Sequence, residues 1–335
     1  MEQKDEVSRL RLRESWVVKV LGSRPIFQAV MKLGWLNRVE RFPEAICVFY
    51  HATFQEYFAA LAVDDWDDFL PRNHVNFPVA GKEYRIFEPQ WKQVILLWLG
   101  RGDVVNEEKE KFIEKLVDFD DGCGEWNFEK VDRGFYEYRA YFLAAAGISE
   151  FKACSLADEI VRQVVKWKFG YFNVQKQEWL SFLEAPIELR TGKLLLEMSR
   201  QLATREIIAI LNHSTDALTL GLAAYYLKEI DPQNPYNRQL ITSLIEIIED
   251  SSNNETIRLR TLYRLRKIAP PNDQEVISAL MLVLKNTEND ENLREVVAHY
   301  LVGITQEDQG AIIDALIQIL NNAENEYPSN SNATR

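Results

Sequence analysis

The sequence has no G-x-x-x-x-G-K-[ST] run, so it offers no Gly-rich turn whose backbone donors could cradle a nucleotide phosphate beside one Lys. Ala80-Gly81-Lys82-Glu83 and Thr191-Gly192-Lys193-Leu194 come nearest, and both lack the first Gly and the Ser or Thr. Cysteine is scarce: Cys47, Cys123 and Cys154 are odd in number, far apart and without C-x-x-C spacing. Neither a disulfide framework nor a zinc site is suggested, and buried reduced thiols are expected. His74, His213 and His299 have no His or Cys at ligand spacing, and H-E-x-x-H and G-x-S-x-G are absent. No metal ligand and no catalytic residue is therefore expected, although a triad assembled only in space would leave no such run. Excess positive charge is also missing, since the net charge of -12 opposes a nucleic-acid footprint. The local exception is residues 1–41, with nine Lys or Arg against five Asp or Glu. No apolar run reaches the roughly 18 residues of a membrane span. The N-terminus, MEQKDEVSRLRLRESW, lacks the apolar stretch of a secretory signal, so the expected location is cytoplasmic, with no membrane partner.

What is present is a folded composition, 47% apolar and 27% charged, over 335 residues, enough for two or three units. All eight Trp and all seventeen Phe lie at or before Phe182. Beyond it the apolar positions are Leu, Ile, Val, Ala and a few Tyr. Aromatics fill bulky irregular cores, whereas stacked helix pairs of uniform size take interdigitating aliphatics, so the shift predicts a boundary near Pro186.

Past that boundary the chain repeats itself. Ile241, Leu244, Ile247 and Ile248 match Ile277, Leu280, Val283 and Leu284, which match Ile313, Leu316, Ile319 and Leu320, with an offset of 36 residues both times. Leu265 and Ile268 match Leu301 and Ile304 at the same offset, and a drifted earlier copy includes Ile208, Leu211, Leu227 and Ile230. Each set has the spacing of one helix face. One such pair cannot bury its stripe alone, so the pairs are expected to stack into a solenoid. Asp231-Pro232 and Pro270-Pro271 supply helix stops. The pattern resembles short HEAT-like repeats. A polar tail, 324–335, is expected to be disordered.

The most specific segment is Val48 to Ala60, VFYHATFQEYFAA. Ile46 to Tyr50 is a short β-capable run that can pair with Leu36 to Phe42 as a hairpin. A helix then starts, for which Thr53 and Glu56 have the spacing of a capping box. Phe54, Tyr57, Phe58 and Leu61 are expected to form its buried stripe. His51 falls at the strand-to-helix junction, near the positive end of a helix dipole, where an anion could be received. It could equally finish the hairpin and bond only to backbone.

This segment resembles the F-x-H-x-[ST]-F-Q-E-[FY]-x-A motif that closes the winged-helix domain of NACHT-family (STAND) signalling NTPases, which include bacterial defence proteins. The helical segments Leu10 to Leu21 and Pro25 to Leu33, followed by the hairpin, look like the last part of a winged helix. Glu88 to Gly100, EPQWKQVILLWLG, looks like the helix that follows in such proteins. The resemblance implies a mainly all-α chain in four parts. These are a partial winged helix over 1–62, an aromatic-rich helical domain over 63–187, HEAT-like repeats over 188–323 and the tail. It also implies that His51 contacts the β-phosphate of ADP when a nucleotide-binding core is supplied. Since that core is not among these residues, the chain reads as the C-terminal part of such a protein, holding no cofactor of its own and meeting ATP or ADP only through a core elsewhere.

The remaining charged runs read as structure. Asp64 to Asp68 continues a polar helix face, and Asp118 to Glu125 is a turn instead of a calcium loop, its Gly falling at the fifth position of the run where a calcium loop needs the sixth. Arg162 to Asn173 mixes basic and aromatic residues, but Val164, Val165 and Trp167 have helical core spacing. The function expected is a non-enzymatic sensor arm that recognises a protein partner or ligand through its solenoid and relays it to a NACHT-type core. The alternatives are a stand-alone scaffold and a bilin lyase-like HEAT protein.

Overall fold

A computed structural model describes residues 11–41, 45–123, 133–173, 178–180, 185–214 and 217–304, with scattered positions from 310 to 317. The chain is mainly helical with little strand. No helix among the described residues is long and apolar enough to cross a membrane. Two compact units form, one of Met1–Asn127 with Asp132–Leu156, the other of Phe128–Val131 with Ala157–Arg335. The division at Leu156 lies well before Pro186. Aromatic content follows the bulk of a core, while the boundary follows which helices share it, and the helix after Leu156 packs with those that follow.

The first unit opens with β1 (Leu12–Arg13), α1 (Glu14–Leu21), α2 (Arg24–Lys32), β2 (Leu36–Glu40), β3 (Ile46–Phe49) and α3 (Ala52–Ala62). The strands form an antiparallel sheet in the order β1-β3-β2, with Leu12 opposite Cys47 and Leu36 opposite Phe49. Helix α1 therefore begins later than Leu10, because Leu12 and Arg13 join the sheet. Gly22, left-handed at φ 66°, ends α1, and Pro25 sits in the first turn of α2, so the two helices are joined tightly. Their common core is small: Val17, Phe27, Leu36 and Cys47. Glu14 is buried beside it, and Arg38 and Arg24 neutralise the carboxylate at 2.8 and 2.9 Å.

The unit continues with α4 (Lys92–Gly100), α5 (Asn106–Val117) and α6 (Phe135–Gly147), around a core where Trp66, Phe69, Trp98 and Phe112 meet at tilted, stacked and edge-on ring contacts.

The second unit starts with α7 (Ala157–Phe169), the short hairpin β4 (Tyr171–Asn173) and β5 (Glu178–Leu180), and α8 (Ala185–Glu197). It continues as α9 (Arg200–His213), α10 (Ala217–Ile230), α11 (Tyr236–Glu249), α12 (Glu255–Ile268), α13 (Gln274–Lys285) and α14 (Glu291–Ile304). Here α9 packs on α10, α10 on α11, α11 on α12 and α13 on α14, and in addition α10 packs on α12, α12 on α14 and α11 on α13. Contact with the next helix and the next but one is the arrangement of a helical solenoid. Asp231 and Ala269 follow the last residues of α10 and α12, as the Pro stops require. Ile241, Leu244, Ile248, Ile277, Leu280, Val283 and Leu284 are buried as expected. The third copy departs: Ile312 is buried and Ile313 is 53% exposed. No later repeat covers that face among the described residues, and Ile319, Leu320 and the tail lie outside them.

A second periodic element runs inside the stack. The Asn253 amide donates to the Ile247 carbonyl at 3.2 Å, and the Asn289 amide to the Val283 carbonyl at 2.8 Å. The Arg258 Nε donates to the Ile248 carbonyl at 2.7 Å, and the Arg294 Nε to the Leu284 carbonyl at 3.0 Å. All four side chains recur at the 36-residue offset. Each pair satisfies carbonyls left open at the end of α11 or α13. The Arg258 guanidinium then reaches the next repeat, donating to the Asn289 Oδ1 at 3.0 Å. Burial lowers its pKa from the ordinary arginine value, while Asp250 opposes the shift.

Two substitutions test this stack. Leu280→Asp places an unpaired charge in the central pair, where the side chain is 1% exposed, and costs several kcal/mol. A melting temperature within about 2 °C of wild type would show the repeat register to be wrong. Arg258→Ala and Asn289→Ala each cost about 1–3 kcal/mol by leaving a buried partner unpaired. Together they cost less than the sum by about 0.5 kcal/mol or more. Strict additivity in a denaturant-unfolding double-mutant cycle would mean that the two repeats are not coupled through this bond.

Candidate functional site

The site with the most specific sequence lies where β3 passes into α3. Leu36 opposite Phe49 and the Tyr50 N–H donating to the Trp35 carbonyl at 3.0 Å hold the chain in the sheet through Tyr50. It turns into a helix at once. His51 is extended (φ -140°, ψ 144°) and is itself the N-cap residue. Its Nδ1 accepts the Thr53 N–H at 3.2 Å and lies 2.8 Å from the Thr53 hydroxyl, while its carbonyl accepts the Phe54 N–H at 3.1 Å. A neutral ring that accepts at Nδ1 carries its proton on Nε2, so the exposed histidine presents a donor at its other nitrogen.

This corrects the capping assignment. Thr53 and Glu56 have capping-box spacing, but the sheet puts the cap at His51, two residues before Thr53, so Phe54 and not Glu56 falls three residues after the cap. Thr53 instead supports the capping ring. The expected buried stripe is corrected as well. Phe54 and Phe58 are half-buried, Phe58 lying 5.2 Å from the Trp35 ring, and Ala60 is buried. Tyr57 and Leu61 are 47% and 40% exposed.

Tyr50, Trp16, Val20, Ile26, Leu33 and Val39 are also exposed apolar residues in the first part of this unit. They flank a core of four buried residues with Leu12, Val18, Leu21, Val30, Met31 and Phe49 packed against it.

The far end of α3 is held by residues the sequence did not single out. Arg101 donates to the Ala60 and Val63 carbonyls at 2.8 and 2.7 Å, and the Trp98 indole donates to the Val63 carbonyl at 3.1 Å. A two-point contact with Asp103 fixes the guanidinium and holds the Asp103 carboxyl down at about 2. The motif helix is thereby tied to α4 and α5. An Arg just past an apolar helix is the only sequence trace of this bond.

The charged runs resolve into structural contacts. Asp64 to Asp68 is not a continuing helix face, since α3 ends at Ala62 and a 3-10 turn, Trp66–Asp68, follows with Trp66 buried. Asp65 caps that turn, and Asp67 accepts the Arg72 N–H at 2.8 Å. Asp120, Asp121 and Glu137 bring carboxylate oxygens within 4.8 Å of one another. Asp120 accepts the Gly122 N–H, and Asp121 accepts those of Cys123 and Tyr136, so these two carboxylates close a turn, as expected. Gly122 is required there: at φ 68° it runs so close to the Asn76 carbonyl that a Cβ would sit 2.3 Å from the oxygen.

Cys47 and Cys154 are buried but Cys123 is exposed, contrary to expectation. His74 is a satisfied core histidine, stacked 4.4 Å from the Phe119 ring and bonded to the Tyr84 hydroxyl and the Asp120 carbonyl. His213 bonds to the Ala209 carbonyl, and His299 is exposed. Val164, Val165 and Trp167 are buried, as core spacing requires.

Glu108 accepts from Arg72 at 2.6 Å, Lys111 at 2.7 Å and the Trp66 indole at 3.0 Å. Arg72 above all, then Lys111, holds its carboxyl down at about 2 from an ordinary 4.5. The folded value lies below the unfolded one, so the contribution is complete above pH 4.5 and is lost as pH falls towards 2. Glu108→Gln is therefore expected to lower the melting temperature by a constant amount at neutral pH, with the difference from wild type closing below pH 4.5. A difference that persists unchanged to pH 2 would assign it to shape instead of charge.

No protein-family model, no curated protein and no solved structure matches the chain.

Proposed function

We propose that this chain is the non-catalytic regulatory and sensor arm of a NACHT-type signal-transducing ATPase. Its HEAT-like solenoid recognises a protein or ligand, and its winged-helix part relays that state to a nucleotide-binding core outside residues 1–335. The observation that carries the reading is the junction at His51. An exposed histidine has one ring nitrogen committed to starting a helix and the other offered as a donor, within a motif that resembles the family's phosphate-contacting segment. Three features support it. The β-α-α-β-β order with sheet order β1-β3-β2 suits the last part of a winged helix. The exposed apolar residues flanking a four-residue core suit a part that docks on another surface. Arg101 ties the motif helix to α4, giving the junction a rigid support.

In this reading His51 contributes a charge-assisted hydrogen bond to the β-phosphate of ADP and so favours the nucleotide-retaining state. Because His51 is also the helix cap, His51→Ala confounds the two roles. His51→Asn keeps a side-chain acceptor at the cap and withdraws the distal donor. In the assembly with its nucleotide-binding core, His51→Asn is expected to leave the melting temperature unchanged and to release ADP about ten- to a hundredfold faster, the loss of roughly 1.5–3 kcal/mol. Equal ADP off-rates for the two proteins would leave His51 a structural residue. A chain that captures a protein partner but never co-purifies with a P-loop polypeptide would favour the scaffold reading.

A further inference from the structure

We infer that the outer face of α12 is a docking site for a short acidic protein segment. The inference rests on the reading of the solenoid as a recognition surface and names the chemistry that this surface takes. Helix α12 carries Arg258, Arg260, Arg264, Arg266 and Lys267 within one chain of net charge -12. Arg258 is buried and belongs to the ladder between repeats. The other four have no such task. Arg260, Arg266 and Lys267 are exposed and Arg264 is half-buried. None of the four forms an ion pair with a carboxylate among the described residues, whereas Arg238 on α11 is paired with both Asp273 and Glu275.

The repeat itself does not ask for these cations. At the 36-residue offset the buried arginine is kept as Arg294, while Arg260, Arg266 and Lys267 correspond to Val296, Val302 and Gly303. The helix dipole accounts for part of the charge, since Arg266 and Lys267 are in the last turn, but Arg260 is in the middle of the helix, where that effect has faded.

Among these cations on the helix lies Tyr263, which is 56% exposed, while the Arg266 guanidinium lies 6.0 Å from the centre of the Tyr300 ring. Lys267 Nζ lies 5.5 Å and the Arg264 guanidinium 6.0 Å from the centre of its ring, and Arg264 also lies 5.8 Å from that of Tyr225. The patch thus offers an exposed aromatic ring with two cations beside it. Arg260 and Lys267 are about 10 Å apart along the helix axis at 1.5 Å per residue. Carboxylates on alternate residues of an extended peptide are about 7 Å apart, so two or three of them fit that length. A nucleic-acid strand fits less well, because a backbone track needs charge that continues. The flanking helices instead expose Glu229 on α10 and Glu295 on α14.

The test uses the full chain and a fluorescein-labelled Glu-Asp-Glu-Phe-Glu-Asp-Glu peptide, read by fluorescence anisotropy. Wild type is expected to bind it with an affinity that falls as salt rises. The Arg260→Glu/Lys267→Glu variant, altered only at exposed side chains, is expected to bind roughly tenfold more weakly or worse at an unchanged melting temperature. Equal binding by variant and wild type overturns the proposal, as does no binding by wild type, or tighter binding of oligothymidylate than of the peptide. The sensor reading is separable from it. If the variant still captures the partner that wild type captures, the docking face is misplaced while the sensor reading stands. If wild type captures no partner, the sensor reading falls.

Discussion

A guanidinium without water around it must find oxygen atoms, and in this solenoid Arg258 finds them in two different repeats. Its Nε takes the Ile248 carbonyl at the end of α11, and its outer nitrogen takes Asn289, which is already bonded to the Val283 carbonyl at the end of α13. Apolar stripes alone would let one pair slide on the next by a turn at modest cost, because aliphatic surfaces interdigitate in more than one register. A buried, oriented arginine opposes that, since another register would part its outer nitrogen from Asn289 and leave a buried donor and a buried acceptor unpaired. The placement of the exposed faces, and with it any recognition by them, depends on this bond.

The first unit uses the same chemistry for a different purpose. Arg101 meets the carbonyls at the end of α3 as Arg258 meets that of α11, but it joins a helix that starts at a sheet to a domain built around aromatic rings. The Trp98 indole reaches the same Val63 carbonyl from inside that core. A displacement of His51 along α3 would therefore be felt at Trp98, and the reverse. The sensor reading requires a mechanical continuity of this kind between the junction and the helices behind it.

Much of this architecture was legible in the sequence, and the misses share a cause. Helices with several turns declared themselves because Leu244, Ile248, Leu280 and Leu284 repeat a stripe that only one conformation buries. Leu12 and Arg13 did not, since two residues carry no period and their strand exists only because Cys47 arrives beside them. Thr53 and Glu56 had the local grammar of a cap, yet the sheet decided where the helix began. Tyr57 and Leu61 read as core by spacing, although spacing says only that residues share a face and not that anything covers it. The ladder did leave a trace: Asn253 with Arg258 and Asn289 with Arg294 show the same N-x-x-x-x-R spacing. Polar residues near turns ordinarily face solvent, so that spacing alone does not mark a buried bond. The identity of a partner is not legible in the same way, because it rests on exposed side chains that no packing constraint repeats.

The ladder also limits how such a chain can change in length. One residue added between Ile248 and Arg258 would rotate the arginine away from both of its oxygens, and one removed would do the same in the opposite sense. Copying a whole 36-residue unit, by contrast, reproduces every donor and acceptor and gives the copied arginine a copied asparagine to meet. The solenoid is thus quantised: a change of length by an entire unit keeps the bonds of the ladder, while a single-residue insertion between Ile248 and Arg258 breaks them.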